Sequence, residues 1–334
     1  MADASHRNDY TLADIYEFGL ALHCICAVVR LGVPDLLAGG SLEVSDLATS
    51  TGAREEPLWR VLRFLEDYGV VALIGRKVAL ADKGHLLRKD HRRSMWPTFA
   101  AIGPADAAHA LAFTLRTGNA AAEEALGTSF WNYLATHPDE QEIFDAQMSQ
   151  QARIQILPYI ADLEWPTRGI VADIGGGVGT LLAAVLQAEP SLRGVLIEQP
   201  QVIARARDFL VELQLTDRCD LRQADLFAVP PHADIYLLAF VLHDWMDEAA
   251  ARILSAVRQG AAPSSRLRIF ERLIVDGVPP RRTKMFDIGM LLLTNGRERT
   301  AAEMEDLLGK SGWKVEKTLS NHGSAHMIQA RPIP

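Results

Sequence analysis

The stretch Val171 to Leu181, Val-Ala-Asp-Ile-Gly-Gly-Gly-Val-Gly-Thr-Leu, constrains this chain more than any other. A short apolar run ends in an acid, passes through clustered glycines and re-enters an apolar helical pattern. It reads as strand, tight turn and helix N-terminus. Gly175, Gly177 and Gly179 fall at alternate positions. A Cβ there would oppose positive φ values and hold a ligand away from the backbone. Asp173 precedes the first glycine, at the strand's carboxyl end, and no second glycine–helix fingerprint occurs. Many such turns meet dinucleotides. An acid ahead of the glycines suits a ligand carrying an amino group better than one carrying a pyrophosphate.

From Trp165-Pro166 onward, strand and helix patterns alternate. The expected strands are Gly169–Asp173, Gly194–Glu198, Asp220–Gln223, Ile235–Phe240 and Arg266–Glu271, with a last pair near Trp313–Thr318 and Ala325–Ala330. Helices are expected over 178–188, 200–213 and 247–259. Such alternation predicts an α/β domain over 165–334, with a largely parallel sheet covered on both faces. Ligands then sit beyond the strands' carboxyl ends.

Ahead of that domain, residues 11–38 read as one or two helices with a wide apolar face, buried in their own domain or against a second subunit. Ser41 reads as the cap of a short helix. A longer helix ends near Gly69, and Val70–Ile74 and Val78–Ala81 form a hairpin around Gly75. Helix, helix, hairpin is the winged-helix order, here over 1–94. The helix at 55–68 balances Arg60 and Arg63 against Glu55, Glu56, Glu66 and Asp67, a poor match for a DNA groove, so packing or dimerisation is expected of it. Residues 95–164 read as helical throughout and link the two parts.

The formal charge of −8 argues against nucleic acid as a partner, because phosphate binding needs a local surplus of Lys and Arg. Three cysteines, Cys24, Cys26 and Cys219, make no disulfide framework, which points to a reducing cytoplasm. The N-terminus shows no apolar signal region and no run reads as membrane-spanning, so no membrane partner is expected. His232, His243 and His322 are too scattered to suggest a metal site.

Several candidate residues sit at strand ends. Glu198, 25 positions after Asp173, suits acceptance from two ribose hydroxyls. Asp225, in Ala-Asp-Leu-Phe, suits an adenine amino group, with Leu226 and Phe227 packing the base. Together with the acid before the glycines, these favour a nucleoside with an aminoacyl tail, S-adenosylmethionine, over a dinucleotide. His243, in Val-Leu-His-Asp-Trp, is a plausible general base. Glu271 ends the fifth strand, and Glu298 lies in Asn-Gly-Arg-Glu-Arg-Thr. Either carboxylate can hold the imidazole in one tautomer.

In these motifs the chain resembles the class I S-adenosylmethionine-dependent O-methyltransferases of the plant caffeate and bacterial antibiotic type, mitomycin and naphthoate methyltransferases among them. The resemblance runs nearly the whole length and includes Gly-Thr-Ser-Phe-Trp at 127–131. It implies a Rossmann-like methyltransferase sheet behind an all-helical, winged-helix dimerisation domain. It implies that Asp173, Gly175, Gly177, Glu198, Asp225, Leu226 and Phe227 hold the cofactor and that His243 is the base, supported by Glu271 and Glu298. It implies an acceptor pocket lined by Phe144, Met148, Asp287, Met290 and Thr294, and a small aromatic hydroxylated substrate. It also implies an intertwined homodimer whose N-terminal domain lends residues to the partner's pocket.

There are two departures: Ala239 stands where relatives often carry Lys or Ser, and Asn295 replaces the first glycine of a common pair. Two other readings stand beside methyl transfer. One is the same fold repurposed for hydroxylation or cyclisation; the other is a ligand-sensing regulator built on the winged helix.

Overall fold

The computed structural model describes residues 10–275, 281–320 and 325–334. The N-terminal residues read above for a signal, and His322, lie outside them. The chain divides into two compact units, 1–101 and 102–334.

In the first unit the helix Leu12–Arg30 opens on a capping box. The Thr11 hydroxyl accepts from the Asp14 amide at 3.1 Å, and the Asp14 carboxylate accepts from the Thr11 amide at 2.7 Å. Each satisfies an amide that the first turn leaves unpaired. The helix Glu55–Glu66 buries Leu58, Leu62 and Leu65, at helical spacing. Strands β1 (Leu42–Glu43), β2 (Val71–Ile74) and β3 (Lys77–Leu80) form a sheet in the order β1-β3-β2.

Two expectations are corrected here. Ser41 caps nothing: the N-cap of the helix Val44–Thr51 is Glu43, without a side-chain bond, and Leu42–Glu43 pair with Val78 and Lys77. The partner strand lies 35 residues away, out of reach of a local reading. The helix Leu12–Arg30, with a mean hydropathy of 1.7, is also long and apolar enough to span a bilayer by composition alone. Leu12, Ile15 and Tyr16 on it are exposed.

The second unit is built on a sheet in the order β10-β11-β8-β7-β4-β5-β6: β4 Gly169–Ile174, β5 Leu192–Glu198, β6 Cys219–Gln223, β7 Ile235–Ala239, β8 Arg266–Ile274, β10 Trp313–Leu319 and β11 Ala325–Pro332. A short β9, Arg299–Thr300, pairs with the end of β8. Strands β4 to β8 pair in parallel, and β10 and β11 antiparallel. Strand order reverses between β4 and β7, the position where an open α/β sheet leaves a crevice at its carboxyl edge. Helices of 103–155 pack against the helix Arg281–Leu293 through Phe130, Leu134, Phe144 and Leu292, so they share the second unit's core.

Candidate active site

One cavity opens at this crevice, lined by the glycine turn and by β5, β7 and the helices above them. At its floor Asp173 is fully buried, and neither carboxylate oxygen has a hydrogen-bond partner among the described residues. Burial pushes its pKa up to about 7; the Leu182 amide tempers the shift without a bond of normal geometry. A bare buried carboxylate is costly unless something arrives to pair with it. The turn beside it leaves room. Gly177 has φ +59 and open space where a Cβ would stand. At Gly176 a Cβ would lie 2.4 Å from Asp173 Oδ2. Gly176 was not singled out from sequence, yet it is the glycine that lets the turn close over the acid.

Glu198 ends β5 in the same cavity, half-buried, and its Oε2 accepts from the Gln199 amide at 2.8 Å. Burial raises its pKa to about 7, with Asp145 and Asp173 adding to the shift. Leu226 also lines the wall. Asp225 and Phe227 are not among the lining residues. Asp225 is exposed and its Oδ1 accepts from the Phe227 amide at 2.9 Å, closing a local turn. The Phe227 ring packs edge-on against Trp245 at 5.1 Å, with the Arg252 guanidinium 4.5 Å from its centre. Phe227 thus backs the lining residue Trp245.

His243 lines the same cavity from a single 3-10 turn, Leu242–Asp244. The turn follows Phe240, whose φ of +55 is uncommon for a bulky residue. The Phe240 and His243 rings stack 5.7 Å apart at 13°. His243 Nδ1 lies 3.2 Å from Glu298 Oε1 and 3.3 Å from Glu271 Oε2. The Glu298 contact has hydrogen-bond geometry; the Glu271 one is an ion-pair distance only. With only acceptors beside it, Nδ1 carries the proton, which leaves Nε2 as the free base. Asp244 Oδ1 is 3.8 Å from Nε2.

Glu271 Oε1 accepts from the amides of Val241, Leu242 and His243, at 3.1, 2.8 and 3.3 Å. This carboxylate therefore builds the turn as well as charging it. Burial lowers the pKa of His243, but Glu271, Asp244 and Glu298 outweigh it and raise the net value to about 9. Asp244 is pushed to about 7 by burial, against the pull of His243. Ligand atoms of His243, Glu271 and Glu298 lie within 4.8 Å of one another, a metal-like spacing that the scattered sequence positions hid. The buried Arg272 adds a positive charge there, its Nη1 3.6 Å from Glu298 Oε1.

Above the imidazole, the helix Pro138–Gln155 brings Phe144 and Met148 to the cavity, and the helix Arg281–Leu293 and its end bring Met290 and Thr294. Phe144 meets Phe130 and Trp131 edge-on, each at 5.7 Å. Asp287 is not in the lining: its Oδ1 accepts from the Glu298 amide at 2.9 Å and so holds the loop that carries Glu298. Ala239 lines the cavity with a methyl alone. Phe130, Trp131, Gln151, Phe286 and Arg272 also line it. Of these, Phe130 and Trp131 fall in the Gly-Thr-Ser-Phe-Trp segment quoted from sequence; the other three carried no motif.

The family model of the O-methyltransferase domain matches residues 109–314, more than half of the chain. Mitomycin biosynthesis 6-O-methyltransferase of Streptomyces lavendulae is 36% identical over 333 residues, covering 96% of this chain and 94% of its own. 8-amino-8-demethylriboflavin N,N-dimethyltransferase of Streptomyces davaonensis is 36% identical over 313 residues, 90% of each. Among solved structures, an O-methyltransferase from neocarzinostatin biosynthesis, in complex with S-adenosylmethionine and 2-hydroxy-5-methyl naphthoic acid, aligns with a TM-score of 0.85 at 26% identity over 100% of both chains. Matches of this extent over sequence and backbone alike lead to one assignment: the chain belongs to the O-methyltransferase family.

Proposed function

We propose that the protein is an S-adenosylmethionine-dependent methyltransferase acting on a hydroxyl, phenolic in character, of a small aromatic natural-product intermediate, with His243 as general base. One observation carries the reading: the carboxylate of Asp173, without a hydrogen-bond partner among the described residues and under an open glycine turn, shares a cavity with an imidazole fixed from behind by two carboxylates.

The residues present fit the cofactor. A buried acid without a partner suits its ammonium, Gly175 and Gly177 admit its tail, Glu198 suits its ribose, and Leu226 flanks the base. When bound, S-adenosylmethionine supplies an electrophilic methyl on a positively charged sulfur. The chain's own residues do the rest. Phe144, Met148, Met290 and Thr294 hold an aromatic ring and exclude water. His243 Nε2 takes the hydroxyl proton, and Glu271 and Glu298 stabilise the imidazolium through Nδ1. Holding two reactants in line is worth about 7–11 kcal/mol, and the base adds roughly two to four orders of magnitude.

The exposed apolar face of the helix Leu12–Arg30 supports a homodimer through the first unit. The free cysteines and the acidic balance support a cytoplasmic enzyme without a nucleic-acid partner. In the first unit Arg76, at the hairpin tip, pairs with Glu55 and lies over Trp59, which withdraws that cation from phosphate contact.

The test is incubation with S-adenosylmethionine and a panel of hydroxylated aromatics, with aryl amines included because one relative is named as an N,N-dimethyltransferase. An acceptor that gains one methyl while S-adenosylhomocysteine appears supports the proposal. Absence of cofactor uptake by calorimetry removes it. Consumption of acceptor without methyl gain, by hydroxylation or ring closure, would reassign the reaction.

A further inference from the structure

Arg272 follows Glu271 on β8, and strand alternation sends it to the other side. Its side chain is buried, and the guanidinium carbon lies 4.1 Å from the centre of the Phe240 ring and 3.8 Å from that of Phe286. Nη2 donates to Gln151 Oε1, while Nη1 reaches Glu298 Oε1. That same oxygen is the acceptor for His243 Nδ1.

The two carboxylates behind the imidazole are therefore treated differently. Glu271 spends Oε1 on three backbone amides of the turn. Glu298 receives no such set. Its amide is tied by Asp287, and among the described residues its carboxylate faces Arg272 and the His243 ring. Among the described residues, His326 on β11 stands opposite Glu271 in the strand pairing, and other charged groups lie around the turn. Asp244 lies on the turn itself. Arg299 donates to the carbonyls of Leu242 and Trp245 and pairs with Asp247. Across the cavity stand Asp173 and Glu198 from β4 and β5.

We propose that Arg272 is a positioning residue for His243: its guanidinium, packed over the rings of Phe240 and Phe286, fixes Glu298 and offsets that carboxylate's charge, so that the imidazole can shed its proton closer to neutral pH. The proposal rests on the reading of His243 as the base. An acid freed of its cation would stabilise the imidazolium further, and buried Glu271 and Asp244 already favour it. A lysine would keep charge but lose the planar fork and the stacking on both rings.

The experiment follows the His243 ring by NMR in full-length, histidine-labelled protein without ligand, its signal identified by its loss in His243→Gln. Arg272→Met and Arg272→Gln are expected to move the His243 titration up by about one pH unit. The acid limb of kcat/KM should move with it, so activity at pH 7 falls about tenfold. In a Glu298→Gln background, adding Arg272→Met should move the titration by less than half as much. An unmoved titration in whichever single variant folds overturns the proposal, as does an equal shift in the Glu298→Gln background. Should neither single variant fold, the double variant decides against Glu298→Gln alone: nearly coincident titrations support the proposal, and a full unit of separation overturns it. A moved titration with an unmoved rate profile keeps the coupling of Arg272 to His243 and removes His243 as the base.

Discussion

The carbonyl oxygen of His243 accepts a hydrogen bond from the Arg297 amide at 2.8 Å. The candidate base is thus tied by its own backbone to the loop that carries Glu298. The turn leading into that loop is tight: a Cβ on Gly296 would stand 2.0 Å from the same carbonyl oxygen. Asn295, just before it, has φ +58. Asparagine is one of the few non-glycine residues that accept this conformation readily.

Gly296→Ala should therefore displace the loop and cost activity at least about tenfold, with a stability loss of roughly 1–3 kcal/mol as for other core overpacking. Asn295→Gly should be nearly silent, within about 1 kcal/mol, whereas Asn295→Val should destabilise, since a β-branched residue resists positive φ. Denaturant unfolding and single-substrate kinetics check both. A fully active Gly296→Ala enzyme would show that the loop is not fixed to His243 as described.

Asp173 gives a prediction with a definite sign. Its folded pKa is raised to about 7 from an ordinary 3.8. Its stabilising contribution is present below the ordinary value and lost as pH rises through about 7. Without ligand, Asp173→Asn should raise the melting temperature at pH 8, by an amount equivalent to about 1–3 kcal/mol, and change it little at pH 4. The same variant should bind S-adenosylmethionine at least about tenfold more weakly, because a charge-assisted bond to the ammonium is gone. Thermal melts at both pH values and calorimetry test this; a variant that is less stable at pH 8 contradicts the reading.

His243→Gln should lower turnover by roughly two to four orders of magnitude while cofactor affinity stays near that of the parent. The parent's kcat/KM should rise about tenfold per pH unit until about pH 9, where the imidazole has lost its proton. On the stability side, this raised pKa means ion pairs that support the fold below the ordinary histidine value and fade as pH climbs through about 9. A pH-independent rate from 6 to 9 would take the proton transfer away from this residue.

Glu271 and Glu298 should separate by readout. Glu298→Gln should shift the break in the kcat/KM profile to lower pH with modest loss of stability. Glu271→Ala should lose stability as well, by about 2–4 kcal/mol, since three buried amides lose their acceptor together. Urea unfolding of both variants beside their pH profiles makes the comparison.

Much of this candidate site was legible because a parallel sheet places strand ends together, so strand boundaries alone bring Asp173, Glu198 and His243 to one cavity. What escaped was side-chain direction. Arg272 is next to Glu271 in sequence and faces the opposite way, where no motif marks Phe240, Phe286 and Gln151 as its surroundings. Asp225 and Phe227 border Leu226, which does line the cavity, but a two-residue turn engages the first and Trp245 the second. Asp287 lies on a helix whose neighbours do face the cavity, yet it points to the Glu298 amide. Ser41 failed for another reason: the pairing of Leu42 with Val78 is a long-range event, and local capping rules cannot see it.

Strand β8, which carries Glu271 and Arg272, meets β11 as its outer neighbour, with His326 opposite Glu271 and Ala325 opposite Arg272. Glu271 and Arg272 thus lie on a strand whose outer edge is closed by a hairpin that follows the candidate site residues in sequence. Loss of β11 would bare the edge of β8 and expose to solvent the backbone groups beside Glu271 and Arg272.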